Sequence, residues 1–188
     1  MKRALSVLSS FAFVAFATFA FAAEPARWNI DYAASKLGFT AEQDEASFDG
    51  SFAKFEADVH FDPAALADSR ADVTIDTASV STANQRRDGY LKGDGWFESP
   101  AFPTAHFTAK EFVKTNDGFE AHGELTIRTT TVPVKFAFTV KQDGNRVELN
   151  GKADLDRLAF GLGTGDWSDP KAIGTQVTVV VKLVGTRG

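Results

Sequence analysis

The sequence of 188 residues contains no cysteine, and its charged residues are mostly acidic. Without cysteine the protein has no disulfide, no thiol nucleophile and no thiolate metal site, so its core alone must stabilise the fold. The formal net charge is −5. Nucleic acids and anionic membrane surfaces attract basic patches, and the acidic balance therefore argues against both as partners.

Residues 1–22 have the pattern of an export signal. Lys2 and Arg3 precede a long uncharged apolar run, which ends at residues 20–22 in the small-x-small pattern that signal peptidase recognises. We expect a cleaved signal peptide there and one mature domain at residues 23–188, whose net charge is −7 because the two basic residues are lost. No later apolar run approaches the roughly 20 residues that span a bilayer, so we expect a periplasmic protein that is not membrane-spanning.

Apolar and polar residues alternate over most of residues 23–188, which is the period of β-strands. Most phenylalanines of this region fall in one phase of the alternation. Turn sequences such as Asp62-Pro63 and Asp143-Gly144 separate the runs. The pattern predicts eight strands, near residues 35–41, 47–61, 71–77, 104–114, 118–128, 131–142, 146–157 and 175–185.

Two further features favour a barrel over a sandwich. In the second predicted strand, the alternation of apolar and polar residues shifts by one residue near Ala53-Lys54. Such a shift indicates a bend of the kind that curls a sheet. A short helix is predicted near residues 82–91, with Thr82 as its N-cap, and this helix can plug one end. The predicted fold class is therefore all-β, an eight-stranded antiparallel closed barrel with one short helix.

A barrel of eight strands has room inside for side chains or for one slender ligand. Small inward residues, such as Gly123, Gly151, Ala57, Ala121 and Ala153, either leave space for a ligand or accommodate neighbouring phenylalanine rings. We favour a cavity. Its predicted apolar wall consists of Phe39, Phe52, Phe55, Phe107, Leu125, Phe136 and Phe138.

The sequence offers no catalytic, metal-binding or cofactor-binding set of residues, so an enzyme is not predicted. His60, His106 and His122 all fall in the outward phase of their strands, where no buried triad or metal site forms. Residues 161–165 resemble a phosphate loop but lack its lysine, and we expect a flexible loop at the barrel rim. The polar outward phase also argues against an outer-membrane barrel, whose exterior is apolar.

Several blocks of the sequence follow one another in a fixed order, namely WNIDYAASKLGF, FDGSFAKF, VTIDTASVSTANQRRDGYL, WFESPAFPTAHFTAKEF and GELTIRTTTVPVKF. The most specific block contains Arg87, Asp88 and Leu91 at the spacing of an Arg-Asp-x-x-Leu motif. The order of these blocks resembles the YceI-like family of exported lipid-binding proteins. The chain departs from the family at Gln43 or Glu45, where many members carry a histidine.

This resemblance implies a lipocalin-like barrel whose apolar tunnel binds a polyisoprenoid chain, often an isoprenoid quinone or a polyprenyl lipid. It also implies a homodimer, which is common in the family. The C-terminal FGLGTGDWSD with Trp167 is similar to a branch often encoded near membrane b-type cytochromes, which implies a functional link to such a cytochrome.

A lipid headgroup would lie at the tunnel mouth beside the helix. Arg86 and Arg87 can bind a diphosphate or a quinone carbonyl there. In a competing interpretation, Arg87 pairs with Asp88 or Asp76 and fixes the helix on the barrel.

Tyr90, Trp96 and Phe97 are predicted either to form the edge of the lid or to pack beneath it. The preferred hypothesis is periplasmic binding, transport or storage of a long isoprenoid-type lipid. The alternatives are a structural or stress-response envelope protein without a dedicated ligand, and an exported hydrolase.

Overall fold

The structure is a computed structural model that describes residues 25–188, so the predicted signal peptide at residues 1–22 lies outside the described residues. Within residues 25–188, no helix has the length and apolar character needed to cross a membrane. The helix α1 is Gln85–Lys92. The strands are β1 (Trp28–Ile30), β2 (Lys36–Gln43), β3 (Ala46–Phe52), β4 (Phe55–His60), β5 (Arg70–Asp76), β6 (Val80–Ser81), β7 (Thr104–Lys114), β8 (Phe119–Ile127), β9 (Thr130–Asp143), β10 (Arg146–Asp156) and β11 (Gln176–Arg187).

The predicted all-β fold with one short helix is confirmed, and all strand pairs are antiparallel. Each of the eight predicted runs contains a strand. The second run is divided between Phe52 and Phe55 into β3 and β4, where the slip in phase indicated a bend. The short strands β1 and β6 were not predicted, because three and two residues are too few to show alternation.

The predicted closed eight-stranded barrel is wrong, because the sheet is curled but open. Its order is β4-β5-β7-β8-β9-β10-β11-β2-β3-β6, and β1 pairs with β11. At the bend the backbone bonds to the last residue of β5 and to the turn between β5 and β6. Ala53 N–H donates to Ser79 O at 3.2 Å, and Asp76 N–H donates to Lys54 O at 3.1 Å. The hydrogen-bonded ring is interrupted there.

Side chains and short contacts cover the seam, which we define as the gap between β4 and β1. The hydroxyl of Tyr32 accepts a hydrogen bond from the backbone N–H of Ala57, on the free edge of β4, at 3.1 Å. A single backbone bridge joins Arg27 to His60. Below it, the carboxylate of Asp62 lies 2.5 Å from the guanidinium of Arg187 on β11. The seam is therefore covered without a continuous ladder.

Phenylalanine rings pack closely against glycines on the concave face of the sheet. A Cβ atom added to Gly50, Gly123 or Gly151 would lie 2.2, 2.7 or 2.4 Å, respectively, from the nearest carbon of the ring. These distances are shorter than real Cβ contacts allow. Inward glycine thus accommodates an aromatic ring from a neighbouring strand, as one of the two interpretations of Gly123 and Gly151 predicts. The pairs are Gly50 under Phe39, Gly123 under Phe107 and Gly151 under Phe136.

One buried arginine anchors the segment between β10 and β11. Arg157 is 4% exposed, and burial lowers its pKa while nearby Asp156 opposes that shift. An arginine nevertheless stays charged at neutral pH. The stretch at residues 161–165, predicted as a flexible rim loop, is held by this side chain. The guanidinium donates to the carbonyl oxygens of Leu162 at 2.8 Å, Gly163 at 2.5 Å, Trp167 at 2.7 Å, Ile173 at 2.9 Å and Gly174 at 3.0 Å.

We expect Asp62→Asn to weaken the seam in a pH-dependent way. The backbone N–H of Ala64 and the guanidinium of Arg187 both hold the pKa of Asp62 below its usual value. A lowered folded-state pKa stabilises the protein above the pKa of the unfolded chain, and this contribution is lost as the pH falls below about 4. The substitution should lower the free energy of unfolding by about 1 kcal/mol at pH 7 and by less at pH 3.

Urea unfolding of both proteins at the two pH values measures this difference. Asp58→Asn is the matched control, because its ion pair with Arg27 is more exposed and should contribute less at pH 7. An equal loss for Asp62→Asn at pH 7 and pH 3 would contradict the assignment.

We expect Arg157→Lys to destabilise the protein by about 3 kcal/mol, since one ammonium cannot reach five carbonyl oxygens and leaves several of them unpaired. Arg146→Lys, at an exposed position at the start of β10, is the control and should change stability by less than about 0.5 kcal/mol. Chemical denaturation measures both. A similar, small effect of the two substitutions would show that the carbonyl network adds little stability.

Candidate functional site

The concave face of the curled sheet surrounds a cavity of about 630 Å³. Ala57, Ala121 and Ala153, which were predicted as small inward residues, lie in its wall. The small side chains therefore leave space at these three positions, while the glycines accommodate rings. The structure brings together in the same wall all the predicted apolar residues, namely Phe39, Phe52, Phe55, Phe107, Leu125, Phe136 and Phe138.

One end of the cavity is closed by packed aromatic rings. The ring of Phe61 is 2% exposed and lies 5.2 Å from that of Phe138 and 5.1 Å from that of Phe119. Trp28 packs edge-on against Phe61 at 6.2 Å, and its indole N–H donates to the carbonyl of Phe61 at 3.3 Å. The side chains at this end form a packed core that is rich in aromatic rings.

The other end opens beside α1. The lining residues that are exposed to solvent all lie there, whereas the rest of the wall is buried or partly buried. We call this opening the mouth. Its exposed residues are Asp44, Asn84, Arg86, Tyr90 and Trp167.

Local hydrogen bonds place α1 over the mouth. Asn84, and not the predicted Thr82, is the N-cap, and its side chain accepts from the backbone N–H of Arg87 at 3.1 Å. Thr82 is used differently, because its hydroxyl donates to the carboxylate of Asp88 at 2.6 Å. Asp88 also accepts from the backbone N–H of Thr82 at 2.7 Å, which ties the helix to the strand before it.

Arg87 has a mainly structural environment. Its guanidinium lies 3.6 Å from the ring centroid of Phe48 and donates to the hydroxyl of Thr82 at 2.9 Å and to the side-chain carbonyl of Gln43 at 3.2 Å. These partners replace the predicted pairing with Asp88 or Asp76. Arg87 thus fixes the helix on the sheet, as the competing interpretation held, but through neutral groups.

Arg86 is the exposed cation of the mouth. Its guanidinium lies 5.8 Å from the ring centroid of Tyr90 and donates to the Tyr90 hydroxyl at 3.4 Å. The phosphate or carbonyl oxygen of a ligand can approach it from solvent, which the half-buried Arg87 allows less readily.

The remaining predicted lid residues occupy two levels. Tyr90 is exposed at the rim, while Trp96 is 8% exposed and lies beneath Trp167, with ring centroids 6.4 Å apart. The indole N–H of Trp96 is covered by protein and has no hydrogen-bond partner in the described chain, so in this conformation it is not accessible to a ligand. Phe97 is partly buried and packs against Phe52, with ring centroids 5.6 Å apart.

The cavity wall formed by the described residues is mostly apolar and has no arrangement of side chains typical of a catalytic site. None of the three histidines lines it, and His122 instead contacts Glu120 at 2.6 Å on the outside of the sheet. Within residues 25–188, no group of three or more His, Asp or Glu side chains is placed to hold a metal ion. Hydrogen-bonding side chains occur mainly at the mouth.

Several wall residues were missed because they lie outside the predicted strands. Phe160 and Leu162, which are 1% and 6% exposed, line the cavity from the segment expected to be a flexible loop. The sequence did contain a signal, because Phe160 and Leu162 are two apolar residues spaced by two within a glycine-rich stretch. Arg157 could not be identified from the sequence, because nothing there shows that five carbonyl groups converge on it.

The chain resembles several known proteins. A UPF0312 protein of Photorhabdus laumondii is 30% identical over 146 residues, which is 73% of each chain. A UPF0312 protein of Yersinia pestis is 34% identical over 96 residues. This match covers 51% of this chain and 50% of that relative, so the chain spans about half the length of that protein.

Among solved structures, Burkholderia cenocepacia BcnA has 32% identity and a TM-score of 0.79, covering 84% of this chain and 100% of that one. A polyisoprenoid binding domain from Saccharophagus degradans, implicated in plant cell wall breakdown, has a TM-score of 0.69 at 16% identity, covers 87% of this chain and 99% of that one, and shows similarity of fold alone. The profile of the YceI-like domain matches residues 28–185. That range spans nearly every described strand, and the chain therefore belongs to the YceI-like domain family.

Proposed function

We propose that this protein binds a long isoprenoid-type lipid, a polyprenyl lipid or an isoprenoid quinone, and carries or stores it in the periplasm. The observation that supports this proposal most is the apolar cavity of about 630 Å³, closed at one end and open beside α1. The similarity in fold to a protein described as a polyisoprenoid binding domain agrees with it.

The energetics favour a chain-like apolar ligand. Each buried CH₂ group contributes about 0.8 kcal/mol, so roughly ten buried groups are enough for micromolar binding after the cost of ordering the chain. Phe39, Phe107 and Phe136 present ring surfaces to such a chain. Arg86 at the mouth is placed to bind an oxygen-containing headgroup.

Binding without catalysis is part of the proposal. The cavity wall carries no histidine, and its polar side chains, apart from the fully engaged Arg157, lie at the mouth. We further propose export through the signal sequence at residues 1–22, a homodimer, and a functional link to a membrane b-type cytochrome. These three parts rest on the sequence and on family resemblance.

Native mass spectrometry of protein purified from its own cell envelope tests the proposal. We expect an adduct with the mass of a prenyl lipid. Delipidated protein should also bind ubiquinone-8, measured by quenching of tryptophan fluorescence. The absence of both signals would contradict lipid binding and would favour an envelope protein without a dedicated ligand.

Phe136→Trp should narrow the cavity and weaken ubiquinone-8 binding about tenfold, because the larger ring displaces about two CH₂ groups of the chain. Phe138→Trp is expected to act in the same direction but with a larger loss of stability, since Phe138 is 5% exposed within the closed aromatic end. Ala137→Trp is the matched control, because it adds the same ring on the outer face of β9. Unchanged affinity in Phe136→Trp, with the fold retained, would show that the ligand lies elsewhere.

A further inference from the structure

Two of the large apolar side chains that the structure leaves exposed lie side by side at the mouth. Tyr90 is 44% exposed and Trp167 is 36% exposed, and their ring centroids are 5.3 Å apart. Within residues 25–188, the other exposed large apolar residues are Tyr32, at the seam, and Val180, on β11. Tyrosine and tryptophan are enriched at interfaces with other proteins and with membranes, so this pair is a candidate contact surface.

The pair is held in position by the fold. The carbonyl of Trp167 accepts a hydrogen bond from Arg157 at 2.7 Å, so a buried network fixes the backbone that presents this ring. Trp167 also contacts Trp96 below it. Tyr90 lies on α1, whose start is tied down by Thr82 and Asp88. Exposed rings on anchored backbone bind a surface without a large cost in conformational entropy.

The chemistry of this rim fits the headgroup region of a bilayer. Tyrosine and tryptophan concentrate at the membrane interface, where one end of the ring is apolar and the other hydrated. Arg86 lies against the ring of Tyr90 and has its guanidinium in solvent, where it can bind a lipid phosphate by charge-assisted hydrogen bonds. Aromatic rings and a phosphate-binding cation thus stand together at the mouth.

We propose that Arg86, Tyr90 and Trp167, the docking rim, bind the surface of a phospholipid bilayer and place the mouth where an isoprenoid lipid leaves or enters the membrane. This inference rests on the proposed function, because an apolar ligand must be shielded from water during its transfer. A docked mouth provides that shield, since the chain passes from the acyl region directly into the cavity.

The charge of the protein makes this docking transient. Asp44, Asp166 and Asp169 are exposed in the segments around the mouth, and the chain without residues 1–22 has a net charge of −7. Attraction by anionic lipids therefore cannot drive binding. The free energy of docking must come from burial of the two rings and from contact with phosphate. Zwitterionic and anionic phospholipids share this phosphate group. The protein should therefore bind phosphatidylcholine vesicles at least as well as vesicles rich in phosphatidylglycerol.

The first experiment uses phosphatidylcholine vesicles that contain brominated acyl chains and no prenyl lipid. We expect quenching of tryptophan fluorescence on binding, because Trp167 is exposed while Trp28 and Trp96 are 3% and 8% exposed. Trp167→Phe should abolish most of this quenching. Wild-type protein that floats with vesicles without any quenching would show that a different surface docks, and this would overturn the proposal.

The second experiment compares the rate at which delipidated protein takes ubiquinone-8 from vesicles with the rate from detergent micelles. The double variant Tyr90→Ser/Trp167→Ser should lower the ratio of the two rates about tenfold, because the burial of two aromatic rings is lost. Val180→Ser, which removes an exposed apolar side chain from β11 away from the mouth, should leave the ratio unchanged.

The outcomes separate this inference from the proposed function. Wild-type protein that takes up ubiquinone-8 from neither source contradicts lipid binding itself. Uptake from micelles but not from vesicles overturns the bilayer as partner and favours delivery by another protein. An equal ratio in the double variant and in Val180→Ser overturns the role of the docking rim.

Discussion

The structure depends on how aromatic rings pack over the concave face of one curled sheet. Phe39, Phe107 and Phe136 pack against glycines of neighbouring strands, where an added Cβ atom would clash with the ring. These three rings line the wall of the cavity. Glycine at these positions and alanine at others preserve an interior volume that larger side chains would fill, while the buried ring surface stabilises the sheet around it.

The open sheet requires a second kind of interaction, because its hydrogen bonding stops at the bend after β3. Tyr32 and the pair Asp62–Arg187 cover the seam with side chains. At the other end, Arg157 binds five carbonyl groups and gives the mouth a defined shape. The same network holds Trp167 at the rim, so the contacts that complete the fold also determine which side chains surround the opening.

Much of the wall could be predicted from the sequence, because an alternating strand assigns every second side chain to one face. Phe107 and Phe136 illustrate this, since the alternation within one strand is enough to assign each ring to the inward face. The mouth was harder to predict. Arg87 was expected to pair with an aspartate, but Gln43, which is 44 residues away in sequence, is brought beside it only when β2 meets α1. The N-cap was placed at Thr82, because a local pattern does not show that Thr82 is engaged by Asp88 and Arg87.

The sequence by itself determined the all-β class, the position of nearly every long strand, the bend at Ala53-Lys54 and the apolar phase that faces inward. These properties follow from alternation and local backbone preference, which neighbouring residues encode. Only the tertiary structure decided that the sheet stays open, that phenylalanine rings pack over the inward glycines, and that Arg157 anchors the segment at the mouth. Each of these depends on contacts between segments distant in sequence, whose geometry is set by the curl of the whole sheet.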